Sequence, residues 1–225
     1  MSKKNPLFAL FVCFLPKQIK FLIYRKIFGY SISSSSRIGC SYINIDYLQM
    51  NSNSSIGNFN FIGNFDSFYQ GKDSTVCSFN WITGFSTKLN SKHFAHQKSR
   101  LSRLILGDHS AITKHHHIDC TNTVEIGSYT TIAGYYSQFL THSINVEKCI
   151  QDSQPIKIGN YCFIGTNCVF LGNSSIPNYC VVGANSLANK AMCDPFSLYG
   201  GSPIKKIKAL PNTHKYFCRD VGFVI

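Results

Sequence analysis

The chain has 225 residues, 44% hydrophobic and only 14% charged, and its 22 Lys and Arg against 10 Asp and Glu give a formal charge of +12. A charged fraction well below the usual ~25% excludes a long charged helix, a coiled coil and a charge-driven disordered chain; it suits many short strands and turns. The cationic excess favours anionic partners, but no long Lys/Arg run is interleaved with aromatics, so no nucleic acid is expected among them.

At the N-terminus, Lys3 and Lys4 precede an apolar run from Leu7 to Leu15 that is too short to cross a bilayer. Pro16-Lys17-Gln18 comes next, without a small-residue cleavage site. Pro16 to Phe28 reads as a helix, with Pro at its start and Gly29 just past its end. Ile19, Leu22, Ile23 and Ile27 would form its apolar face, with Lys17, Lys20, Arg25 and Lys26 largely off it. Residues 1–30 are therefore expected to be a helical cap covering the first coil of a solenoid; the alternative is an interfacial membrane contact.

From about residue 31 the aliphatic residues recur in sixes. Ile32 and Ile38, Ile56 and Ile62, Val76 and Ile82, and Leu106, Ile112 and Ile118 each keep that spacing. Ile126 and Ile132 resume after a two-residue slip, and from Ile158 the column runs Ile164, Phe170, Ile176, Val182, Ala188. A second, mostly small column holds Cys162, Cys168, Ser174, Cys180 and Ser186. A period of six fits neither an α-helix nor a simple alternating strand. It fits a three-sided coil in which each hexapeptide supplies one short strand and one corner, with the aliphatic column stacked inside. Gly, Asn and Asp are expected at corners that need unusual backbone angles. The ten cysteines contain no Cys-x-x-Cys and read as reduced, mostly buried small residues.

This pattern resembles the hexapeptide-repeat acyltransferases over roughly residues 31–210. The resemblance implies an all-β fold, a left-handed parallel β-helix, here with the helical cap before it and a short tail at 211–225. Two segments break the period, the basic 88–103 (KLNSKHFAHQKSRLSR) and 138–157 (QFLTHSINVEKCIQDSQPIK). A solenoid loop leaves the core and is placed to meet a ligand or a neighbouring subunit.

The stretch IDCTNTVEIGSYTTIAGYYSQFLTHS is similar to the region before the catalytic His of sugar and polysaccharide O-acetyltransferases, which marks His142 as the general base. Asp119 and Glu147 are candidates to accept from its second ring nitrogen, and the resemblance also implies a role for an acidic residue near Asp119 in holding acceptor hydroxyls. In Lys114-His115-His116-His117, alternation puts His115 and His117 on one side and His116 on the other, so no metal site is expected and His117 is a candidate for the acceptor rim.

GANSLANKAMCDPFSLYGGSPIKKIK is similar to the family's closing segment, which binds acetyl-CoA. The resemblance carries the pantetheine contacts to Thr166, Ala184, Asn189 and Lys190, and the nucleotide phosphates to Lys205 and Lys208, where relatives often have Arg. Asn189 departs from a usual Thr. The implied activity is direct O-acetylation of a sugar or surface-polysaccharide precursor, with no metal, by a homotrimer in the cytoplasm or at the inner face of the membrane. The alternatives are N-acetylation of an amino sugar nucleotide and a non-catalytic β-helix scaffold.

Overall fold

The computed structural model describes residues 5–224. Strands of two to four residues alternate with tight corners, and three strands complete a turn of a parallel coil. Stacking the coils makes three parallel sheets of seven, nine and seven strands. The first runs from Ser31–Ile32 to Ser175–Ile176, the second from Arg37–Ile38 to Ser197–Gly200, and the third from Tyr42–Asn44 to Leu187–Ala188. The ninth strand of the second sheet, Lys205–Ala209, turns back antiparallel.

The register explains the slips in the sequence period. Partners in adjacent coils differ by 18 residues at Ser31↔Gln49 and Phe163↔Val181, but by 20 at Tyr47↔Ser67 and Ala111↔Thr131. The extra residues are absorbed at corners, so the aliphatic column stays in register inside. Ile38, Ile56, Val76, Ile112, Ile132, Ile164 and Val182 form one such buried column.

The small column carries hydrogen bonds between coils. At the corner from the second to the third sheet, Asn60 Oδ1 accepts from Asn80 N–H (2.9 Å) and Asn80 Oδ1 accepts from His116 N–H (2.9 Å). His116 Nδ1 then accepts from Ser137 N–H (3.1 Å), and Ser137 Oγ accepts from Cys168 N–H (3.2 Å). Each inward side chain thus satisfies a buried amide of the next coil. His116 faces in while His115 and His117 face out, as alternation requires. Cys162, Cys168 and Cys180 are buried in this column or its neighbour, whereas Cys149, Cys193 and Cys218 are exposed; all ten cysteines are unpaired.

The corners differ from expectation in one respect. The left-handed backbone is carried mostly by Asn and aromatic residues, among them Phe59, Phe79, Tyr129, Tyr161 and Tyr179. A non-glycine residue there costs roughly 1 kcal/mol. Stacking offsets it: the Tyr129 and Tyr161 rings lie 4.6 Å apart at 4°, and Tyr179 and Phe196 lie 4.5 Å apart at 3°. The repeat glycines serve close approach instead. A Cβ on Gly127 would lie 2.6 Å from the carbonyl carbon of Gly159 in the next coil.

The N-terminal cap is two helices. The apolar run forms α1 (Pro6–Cys13), with Asn5 capping it through Leu7 N–H (2.9 Å), and the expected helix is α2 (Lys17–Lys26). The face that α2 buries is not the expected one. Lys20, Phe21 and Tyr24, and beyond them Phe28, are buried, and Ile19, Leu22 and Ile27 are exposed. Tyr24 and Phe28 pack with Tyr30 as an aromatic cluster on the first coil, and Lys20 Nζ reaches Gly39 O at 2.7 Å. Interdigitating rings plus a satisfied ammonium outweigh the aliphatic stripe in the competition for the core.

Candidate functional site

The third sheet delivers the site. Its strand His117–Asp119 places Ile118 inward and Asp119 outward at the corner leading to the first sheet. One coil later, the strand Gln138–Leu140 ends at the same corner. The chain there leaves the prism as an antiparallel hairpin, His142–Asn145 against Ile150–Ser153. His142 is the first residue of that hairpin and stands over Asp119.

Asp119 is only 3% exposed. Its Oδ1 accepts from Thr121 N–H (3.1 Å) and Thr121 Oγ1 (2.6 Å). Its Oδ2 accepts from Thr141 N–H (3.0 Å), Thr141 Oγ1 (2.6 Å), His142 N–H (3.1 Å) and His142 Nδ1 (2.8 Å). Burial pushes the carboxyl up, but the bonds from His142, Thr121 and Thr141 outweigh it and bring the pKa down to about 2. The same bond from Asp119 raises the His142 pKa above its ordinary 6.5, against a smaller opposing effect of burial. An ionised carboxylate only accepts, so Nδ1 carries the proton and Nε2 is left with a free lone pair. The His142 side chain is 47% exposed.

Segment 84–102 leaves the third sheet after Trp81–Thr83 and returns at Arg103–Leu106, folding across the intervening corner. Arg100 pins it by donating to Phe85 O and Thr121 O, and its guanidinium lies 4.7 Å from the Phe94 ring centroid. Gln97 ties it to the hairpin through Asp152 Oδ1 (2.6 Å) and Ser153 O (2.9 Å). Phe94 meets the His142 ring edge-to-face with centroids 6.2 Å apart. Together Thr83, Phe85, His93, Phe94, Thr121, His142 and Gln151 line an open cavity of about 280 Å³.

Asp119 turns its oxygens to Thr121, Thr141 and His142. Three expectations need correction. Glu147 does not accept from the second ring nitrogen of His142, since it is exposed in the turn at the far end of the hairpin, with the paired residues Asn145 and Ile150 below it. The second excursion starts after Leu140 rather than at Gln138, whose strand belongs to the third sheet. His117 faces outward beside Trp81 and Gln138 and does not line the cavity.

Thr166 and Ala184 are exposed and stacked at the corner between the second and third sheets, where Asn185 N–H donates to Thr166 O (3.0 Å). Asn189 and Lys190 come after Leu187–Ala188 at the opposite corner, on the same edge as His142 and two coils further along the axis. Between these edges the outer side of the third sheet presents Val169 and Leu171, with Gly172 lacking a side chain where a Cβ would lie 2.9 Å from Thr141 O. Lys205 sits on the returning strand opposite Gly200, and Lys208 lies further along it opposite Leu198. Among the described residues no cluster of His, Cys, Asp or Glu could hold a metal ion.

Thr121, Thr141, Phe94, Arg100 and Gln97 escaped sequence reasoning. The Asp-x-Thr spacing of Asp119 and Thr121, a common local hydrogen-bonding turn, was the one available signal.

No protein-family model and no curated protein matches the chain. Solved structures do. An AntD variant, an N-acyltransferase from Bacillus cereus in complex with dTDP and coenzyme A, aligns with a TM-score of 0.54 at 17% identity, over 88% of this chain and 90% of that one. The hexapeptide-repeat-containing acetyltransferase VCA0836 from Vibrio cholerae O1 biovar eltor, complexed with acetyl-coenzyme A, aligns with a TM-score of 0.50 at 19% identity, over 91% and 84%. The fold is the left-handed β-helix of the hexapeptide-repeat acetyltransferases.

Proposed function

We propose that the protein transfers an acetyl group from acetyl-CoA to a hydroxyl of a sugar or glycan. The observation that carries this is the His142–Asp119 pair: an imidazole with Nδ1 fixed on a buried carboxylate and Nε2 free, in the wall of a cavity open to solvent. A cavity of about 280 Å³ admits one sugar-sized group.

The chain offers coenzyme A a fitting surface. The outer third sheet is shallow at Gly172; Thr166, Ala184, Asn189 and Lys190 border it, and Lys205 and Lys208 supply positive charge for phosphates. Acetyl-CoA supplies the activated thioester. His142 Nε2 takes the proton of the acceptor hydroxyl as that oxygen attacks the acetyl carbon. Asp119 stabilises the resulting imidazolium, which gives the proton to the departing sulfur. The carbon–sulfur bond breaks as the ester bond forms, and no acyl-enzyme is required.

A homotrimer belongs to this reading, with the cofactor surface completed by a neighbouring subunit. The exposed aromatic ladder Phe61–Trp81 and Phe59–Phe79 on and beside the third sheet supports burial there in an assembly. A cytoplasmic setting agrees with ten unpaired cysteines.

The test is transfer from labelled acetyl-CoA to a panel of sugars and amino sugars, run beside His142→Ala. We expect ester formation by the parent and a loss of about 10³-fold in kcat in the variant, with the acetyl-CoA Kd within about threefold. Product on nitrogen would move the assignment to an N-acetyltransferase. Absence of both turnover and thermal stabilisation by acetyl-CoA would leave a scaffold.

A further inference from the structure

The inward turn of Phe21, Tyr24 and Phe28 has a consequence at the N-terminal end. On α1, Ala9, Val12 and Cys13 are buried, and Leu7, Leu10, Phe11 and Phe14 form an outward stripe at helical spacing. On α2, Ile19, Leu22 and Ile27 do the same. Leu7 is 76% exposed, Phe14 71% and Ile27 63%. Leu7, Phe11, Ile19, Leu22 and Ile27 thus face away from the prism on two short helices joined by a tight turn, whereas Leu10 and Phe14 border a groove with Phe59, Phe79 and Trp81 of the aromatic ladder. An exposed apolar patch of this kind marks a binding surface.

The surrounding charge says what it binds. Residues 1–45 contain Lys3, Lys4, Lys17, Lys20, Arg25, Lys26 and Arg37 and no Asp or Glu. Lys17 and Lys26 are exposed beside the stripe, while Arg25 donates to Ile32 O and Lys20 is buried on Gly39 O. Asp46 shares a pocket with Pro6 but is paired with Lys88 at 2.9 Å. Leu, Ile and Phe bordered by Lys match an anionic lipid surface, where apolar insertion and headgroup attraction add. No described helix is long and apolar enough to cross a membrane.

We propose that the α1–α2 cap docks the protein on an anionic lipid bilayer, with the outward stripe inserted at the headgroup level. The cap packs on the first coil, and His142 lies just past the fifth strand of the third sheet. Four inter-strand steps of ~4.8 Å put the two levels about 19 Å apart along the axis. The inference does not depend on the chemistry performed at His142.

The experiment is co-sedimentation of the full chain with vesicles of phosphatidylcholine alone and of phosphatidylcholine with one-third phosphatidylglycerol. We expect binding to the anionic vesicles that weakens with salt, and binding to the neutral ones lower by about tenfold or more. Leu7→Ser combined with Phe11→Ser should lower anionic binding about tenfold or more. Lys17→Glu with Lys26→Glu keeps the apolar stripe and should lower it comparably. Thermal unfolding confirms that both variants fold. No pelleting with anionic vesicles, or variants that pellet like the parent, overturns the proposal. So does a stripe variant that changes the oligomeric state in sedimentation velocity, since a second copy then covers the stripe.

Discussion

With its pKa held at about 2, the Asp119 side chain is a carboxylate throughout the neutral range. The bond at 2.8 Å sets the His142 tautomer and raises its basicity together. A raised pKa means that the free base appears only as pH rises through a value above 6.5, so kcat/KM should climb along that limb. Asp119→Asn separates the two effects. An amide oxygen turned toward Thr141 and His142 still accepts the Nδ1 proton but carries no charge to favour the imidazolium. We expect the acid limb to move to lower pH while the plateau in kcat falls by about 10²–10³-fold. A plateau that falls with an unmoved midpoint would mean that Asp119 only supports structure. The carboxylate also ties pH to folding: a depressed pKa contributes stability that is present above 3.8 and lost as pH falls toward about 2, about 2 kcal/mol in all.

At the scale of elements, the site is the meeting of two excursions that leave the prism at the same corner, separated by one coil. The hairpin brings His142 and segment 84–102 brings Phe94, and their joint is Gln97 on Asp152 and Ser153. Gln97→Ala keeps the hairpin and both aromatic walls but frees the joint. We expect an acceptor KM raised about fivefold to tenfold, an unchanged acetyl-CoA Kd, and faster tryptic cleavage between Lys88 and Lys98, measured by steady-state kinetics and limited digestion. The sequence pattern located both excursions but not what their charges do. In the first, Arg100 is spent on Phe85 and Thr121 carbonyls and Lys88 on Asp46 at 2.9 Å. Composition cannot distinguish a cation aimed at a ligand from one that closes a loop. The helix shows the same limit: α2 carries apolar side chains on both sides, and only packing against Tyr30 decided which side went in.

For the whole molecule, legibility tracked the period. A six-residue repeat places the aliphatic side chains of the prism, so the three-sided coil could be read from residue spacing, while His142 was marked by the family resemblance. The intercoil column of side-chain acceptors could not, because Asn60, Asn80, His116 and Ser137 share a place and a bond type but no residue class. His116 gives that column a pH dependence. Burial lowers its pKa to about 4, with the nearby His115 adding to the effect. A depressed pKa favours the neutral ring, so stability is complete above 6.5 and declines as pH falls toward about 4, by about 3 kcal/mol in all. His142 does not mask this window, because its raised pKa leaves it protonated in both folded and unfolded chains below 6.5. Asp119 begins to contribute only below 3.8. His116→Asn installs the side chain that already works at Asn60 and Asn80, with an amide oxygen to accept from Ser137. Denaturant unfolding at pH 7.5 should give a stability within about 1 kcal/mol of the parent, and the decline between pH 6.5 and 4 should flatten. A variant with the parent's slope would place the titrating group elsewhere in the column.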